Sequence, residues 1–357
     1  MDGLSRFLRR ARLSTAVLAA VIVAAATAFV AYGVLQRVLP TGSEAIQPKD
    51  LTQFSLAIVA GVGGVVALVV AYRRQQGTEE SRFIERFSAA ASQLGDLDPA
   101  VRMAGVYAMA GAADEASGHE RQQCIDVLCG YLRLPYSPAI GANHESELQD
   151  KVSTGNGNES THRYLYRQND REVRQTIVRV IAAHLQETAR ESWSRCDLDF
   201  RGAIFEDADF QGARFAGART LFDRAQFTGV KTSFVWTRFR NVSFDRAVFA
   251  GEKTLFLGAL FYWYAQFEST DFCAGKTTFA DARFECRTKF DGAKFSGGET
   301  SFSGAAFGTG GTTFRGCDFG EGQVDFAKPA QWDPAPTFDW DGKSKPPNVL
   351  PKEWPPE

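Results

Sequence analysis

Few side chains in this 357-residue chain are spaced for chemistry. His119, Cys124 and Cys129 stand five apart. On a helix that spacing spirals away from any one face, so the three do not converge as the ligands of a tetrahedral metal site must. His184 shares a helical apolar face with Val173, Ile177, Val180, Ile181 and Leu185, and reads as a core histidine. Gly308, Gly310 and Gly311 followed by Thr312 and Thr313 superficially resemble a phosphate cradle. Phe307 and Phe314 keep their rhythm on either side and no helix pattern follows, so the segment reads as a widened corner. Glu206 and Asp207 pair two carboxylates with no cleft expected around them. Gly61, Gly63 and Gly64 sit in an apolar run with no Lys-Ser/Thr after them. No nucleophile elbow, metalloprotease helix or dinucleotide fingerprint is present. The expectation is a protein that is not an enzyme, with no catalytic residue, metal ligand, cofactor or small-molecule substrate.

Charge narrows the partners. The formal net charge is −2, and between Asp197 and Asp325 there are 17 acidic and 15 basic residues. That balance does not suggest nucleic acid as a partner. The six cysteines are scattered without a C-x-x-C pair, which fits free, mostly buried thiols in a reducing compartment.

Two apolar runs open the chain, about 15–36 and 51–72, with no charge between Arg12 and Arg37 or between Asp50 and Arg73. Each matches the ~20 residues that a bilayer-crossing helix needs. Arg6, Arg9, Arg10 and Arg12 precede the first, and Arg73 and Arg74 follow the second. The positive-inside rule then predicts a hairpin over residues 1–76 in the cell membrane, with both termini and all soluble parts cytoplasmic. A cleaved signal peptide is the alternative reading of the first run.

Residues 77–195 read as a small α-helical domain. Phe83, Phe87, Ala90 and Leu94 make one helical face, Gly95 stops it, and Asp98-Pro99 is a helix start. A segment over 136–170, rich in polar residues and carrying Gly155-Asn156-Gly157-Asn158, reads as a flexible insertion.

From Phe200 to Phe326, 23 of the 29 phenylalanines recur at steps of five, six or seven. Two residues before each, from Phe205 on, stands a small or β-branched residue, such as Ala203, Ala208, Ala213, Thr232 or Thr254. Five fits neither a helix nor a simple alternating strand. It fits a chain that turns a corner at every step, with four sides closing a coil and coils stacking at roughly 4.8 Å. About 23 sides would build five to six coils, with Phe and the residue two before it pointing inward.

The segments Ala203-Ile204-Phe205-Glu206-Asp207, Ala208-Asp209-Phe210-Gln211-Gly212 and Ala213-Arg214-Phe215-Ala216-Gly217 resemble the pentapeptide-repeat family. The resemblance runs over about 196–327 and implies an all-β repeat domain, a right-handed quadrilateral β-helix. The six- and seven-residue steps and the Thr before Phe depart from the strict family pattern. The layout of two spans, helical block, repeats and a Pro/Trp-rich tail (328–357) is similar to a membrane-anchored bacterial group. A rigid rod of mixed surface charge, a helical block beside it and the absence of catalytic groups point to a membrane-tethered protein-interaction or scaffold module, with a protein partner or self-association. The alternatives are a DNA-mimic inhibitor or protector of a topoisomerase, or a regulatory subunit of a membrane enzyme. Trp236, Tyr262, Trp263 and Tyr264 are the candidate partner contacts, because three consecutive aromatics after Phe261 cannot all point inward.

Overall fold

The structure, a computed structural model, describes Phe29 and residues 48–138, 147–154, 158–165, 169–340 and 344–356. The chain divides into two compact units, Met1–Ile84 and Glu85–Glu357.

Helix α1, Pro48–Leu94, is continuous for 47 residues. It joins the apolar run 51–72 to the Phe83–Leu94 pattern, which the sequence reading placed on separate helices. Nothing in 73–82 breaks it, since Arg, Gln and Glu there are good helix formers and Gly77 alone costs only about 1 kcal/mol. Among the described residues no helix is long and apolar enough to cross a membrane. The first expected span lies outside the described residues except for Phe29, as do the side chains of 51–59, 62, 65 and 66 in the second.

In the second unit, α2 (Pro99–Glu115), α3 (Gly118–Leu132) and α4 (Asp170–His184) pack together. Asp98 caps α2 as its sequence predicts, its carboxylate accepting from Ala100 N at 2.8 Å with Pro99 in the first turn. His184 is a packing residue. Its ring stacks on the fully buried Trp193 at 3.9 Å, and Nδ1 lies 2.7 Å from Val180 O. Asp114 joins the two, 2.9 Å from Trp193 Nε1 and 3.2 Å from His184 Nε2. Within 136–170, read as a flexible insertion, β1 (Glu147–Thr154) and β2 (Asn158–Leu165) form an antiparallel hairpin. The Asn156-Gly157 pair between them is a hairpin-turn signal, which the sequence reading took only as polarity.

From Leu198 onward the chain winds as a β-solenoid of parallel rungs. The rung at Leu198–Asp199 continues through Thr220, Val242, Ala265, Thr288 and Thr312 to Thr337–Phe338, seven levels in all. This exceeds the expected five to six coils because Phe338 and Val349–Leu350, assigned to the tail, add rungs of their own. All 23 repeat phenylalanines are buried. They form four columns, one per side, headed by Phe200 (side I), Phe205 (side II), Phe210 (side III) and Phe215 (side IV). Within a column rings lie nearly parallel, as Phe279 on Phe302 at 4.8 Å and 3°. Between columns they meet edge to face, as Phe279 on Phe290 at 5.6 Å and 89°. Each such pair contributes about 0.5–1.5 kcal/mol beyond burial, so the column arrangement is cooperative along the coil axis.

Two residues after Phe on sides I and III the chain turns through a left-handed residue. Gly202 (φ 69°) does so without strain, but Arg224, Trp236 and Arg246 do it at 55–57°, where an L-residue costs about 1–2 kcal/mol.

The inward threonines behave in two ways. Thr237 and Thr270 donate to Phe210 O (2.8 Å) and Phe244 O (2.7 Å). Thr232, Thr254 and Thr277 stack in register on side III with buried hydroxyls that have no hydrogen-bond partner, and Val324 and Val349 continue the same row. Thr254→Val keeps the shape and removes an unsatisfied hydroxyl. It is expected to stabilise the fold by about 1 kcal/mol, read as a rise in the urea midpoint with unchanged slope; a fall would show that the hydroxyl is satisfied in solution.

The helical block closes the first coil. Arg214 N donates to Leu185 O (2.8 Å) and Ala216 N to Ser194 O (2.7 Å), so the open rung edge is covered by backbone. Helix α4 itself does not supply these bonds. The helix ends at His184, and the loop after it makes the bonds. Beside it, Arg171 and Tyr136 both donate to Glu206, and Arg174 reaches Tyr131 O, Leu132 O and Ile204 O.

Candidate interaction surface

Side IV carries outward the residues before and after its phenylalanines. Up the axis, the first row is Arg214, Arg238, Leu260 and Arg283, held in register by the parallel rungs. The second row includes Arg240, Tyr262 and Glu285. Trp236 occupies the corner before this side and Trp263 the corner after it.

The corner after side IV is irregular. Phe261 pairs with Phe239, and Tyr264 with Asn241, so Tyr262 and Trp263 together oppose Arg240 alone. The extra residue is a bulge, and bulges re-aim side chains. Here it drives Trp263 outward, 66% exposed, with Tyr262 at 38%. The Arg240 guanidinium lies over the Trp263 ring, 5.4 Å from its centre. Tyr264 is half-buried, its hydroxyl 3.3 Å from Gln266 Oε1, so it fills the corner. At the other corner Trp236 is 60% exposed and its indole lies across Gly258 of the next coil. A Cβ on Gly258 would stand 2.4 Å from the ring. Trp236 therefore reaches the level of Tyr262 and Trp263, and the four aromatics bound one side of one coil.

The rhythm of this chain, the inward Ala or Thr and the four Phe columns all describe one repeat. A family model, Pentapeptide repeats (8 copies), matches residues 196–219. This chain carries pentapeptide repeats. No curated protein and no solved structure matches it.

In the pentapeptide-repeat solenoid the guanidiniums around the aromatics differ in their partners. Arg214 and Arg238 share Glu187 at 3.0 and 3.4 Å, and Arg283 meets Glu285 at 3.1 Å. Arg240 and Arg287, one coil below and one above Trp263 and Tyr264, have no carboxylate partner among the described residues. The sequence reading missed these arginines. A sequence signal exists for the paired set, since Arg stands one before the side IV phenylalanine at 214, 238 and 283, but Arg240 and Arg287 fall outside that register.

Other concavities offer less. A groove of about 320 Å³ between α3 and the first coil is lined by Arg133, Arg201, Arg219, Asp126, Asp197 and Asp199. Arg133 and Arg201 both bind Asp199, and Arg219 binds Asp197. Cys129 lies at its base, its thiol pushed up by burial, and burial also raises Cys124 to about 11. Thiols so shifted stay protonated near neutral pH and are poor nucleophiles. Among the described residues no cluster of His, Cys, Asp and Glu could hold a metal ion.

Proposed function

We propose that this protein is a membrane-tethered interaction module whose solenoid presents side IV to a partner protein on the cytoplasmic face. The observation that carries the reading is the concentration of Trp236, Tyr262 and Trp263 around one side. Of the large hydrophobic residues exposed on the solenoid, only Val230 lies elsewhere. Exposed Trp and Tyr ringed by Arg is the composition of interface hot spots. The tether rests on the uncharged apolar run 51–72 on α1, where Leu68, Val69 and Tyr72 are exposed, and on the flanking arginines.

Photo-crosslinking from an unnatural residue at 263 or 236, in cells, tests the reading. Specific adducts from both positions, absent from Gln226 on side II, are expected. An identical adduct pattern from all three positions, or none, removes the support. The topoisomerase reading has weaker ground: Asp223, Asp245, Glu268 and Asp291 stack on side I, but Arg201 and Arg315 bound this short acidic row. It predicts inhibition of supercoiling by the purified chain.

A further inference from the structure

We infer that side IV takes an acidic protein segment in which two carboxylates flank one large apolar side chain. This rests on the proposed interaction role and names the chemistry of the partner. Three features of the corner after side IV carry it. First, the bulge places Trp263 and Tyr262 outward as an apolar platform, with Leu260 beside them and Trp236 across the face at the same level. An apolar side chain laid there is sheltered on two edges by indoles.

Second, the charges around the platform are unequal. The arginines at its margins are neutralised by Glu187 and Glu285, whereas Arg240 and Arg287 are exposed and have no carboxylate partner among the described residues. Asp281, the remaining acid of this side, lies at the far corner, in line with Trp236 and Gly258. The Trp263 corner therefore carries two guanidiniums that no carboxylate among the described residues pairs, although the acidic row of side I begins beyond Tyr264.

Third, the spacing is set by the coil. Arg240 lies one rung below Trp263, and Arg287 pairs with Tyr264 one rung above. Two rungs at roughly 4.8 Å set the backbones that carry the two arginines about 10 Å apart along the axis. An extended segment spans that distance in about three residues, so carboxylates on either side of one or two residues reach both arginines. A guanidinium stacked on indole keeps its in-plane N–H groups free for bidentate binding of a carboxylate, which favours carboxylate over a diffuse anionic surface.

The test selects a displayed random-peptide library on the full chain held in non-ionic detergent micelles. The recovered pool is expected to be enriched in Asp or Glu on both sides of an aromatic residue or Leu. A purified peptide from it should lose at least about tenfold in affinity to Arg240→Gln/Arg287→Gln, as charge-assisted hydrogen bonds are lost. It should lose all measurable binding to Trp263→Ser. Both variants alter exposed residues, and an unchanged melting curve confirms that they fold. A pool without acidic enrichment, or one bound equally by the double variant, overturns the acidic chemistry and leaves the interaction role standing. Recovery no better than from Trp263→Ser overturns both. Arginine-dependent binding of phosphatidylglycerol vesicles, in place of any peptide, assigns the surface to lipid and also overturns the inference.

Discussion

Phe256→Ala is expected to destabilise the solenoid by about 3–5 kcal/mol. Phe256 stacks on Phe234 at 4.9 Å below and Phe279 at 4.7 Å above, and meets Phe244 and Phe267 edge on at 87°. The residue is fully buried. Its neighbours belong to rungs fixed by parallel backbone hydrogen bonds, so they cannot collapse into the void. The cost should therefore sit near the top of the range for such truncations. Urea unfolding followed by far-ultraviolet dichroism measures it, with Gln226→Ala on the exposed surface of side II as the comparison. A loss no greater than that of the surface change would mean that the column does not hold the coils together.

Asp170→Ala should cost a similar ~3–5 kcal/mol by a different route, because it leaves buried charge without its counter-ion. Arg102 is fully buried and Arg174 is 4% exposed. Asp170 lies 3.4 Å from the first and 3.6 Å from the second, and accepts from the Tyr131 hydroxyl at 2.6 Å. Arg174 also spans the junction between the helical block and the first coil through Leu132 O and Ile204 O. The damage should therefore spread to the solenoid edge. Hydrogen exchange at Ile204–Glu206 is expected to quicken in the variant while exchange at Thr300–Phe302 stays slow. Equal quickening at both places would show that the junction is not a separate unit of stability.

The repeat was legible because its signal is redundant. Twenty-three phenylalanines, all but the first preceded at a fixed offset by a small or β-branched residue, specify inward positions many times over, and no single substitution disguises them. The Asp98-Pro99 helix start was legible for a local reason, since the cap chemistry lies within three residues. What escaped depends on contacts between distant segments. Arg240 and Arg287 are 47 residues apart and become neighbours of the Trp263–Tyr264 pair only through rung pairing. The outward turn of Trp263, as opposed to Tyr264, depends on where the bulge falls, and three consecutive aromatics do not reveal that. The junction of Arg171 and Tyr136 with Glu206, and of Arg174 with Ile204 O, joins two folding patterns, and neither pattern predicts the other's position. Phe338 reads as part of the tail because prolines around it mask the rhythm, although the ring stacks on Phe314 at 5.0 Å and 7°.

The coils of this solenoid are not equal in length. Phe200 to Phe222 is 22 residues, Phe244 to Phe267 is 23 and Phe290 to Phe314 is 24. A uniform helix of identical turns would be free to misthread, each turn accepting its neighbour's place. Here a chain displaced by one whole turn would bring its rings into mesh at one end and out of mesh at the other, like a vernier scale read at the wrong line. The one-residue step from Arg240 to the Tyr262–Trp263 pair adds a further mismatch to a displaced winding. The same extra residue that displays an indole to a partner thus also helps the growing spiral find its one correct winding.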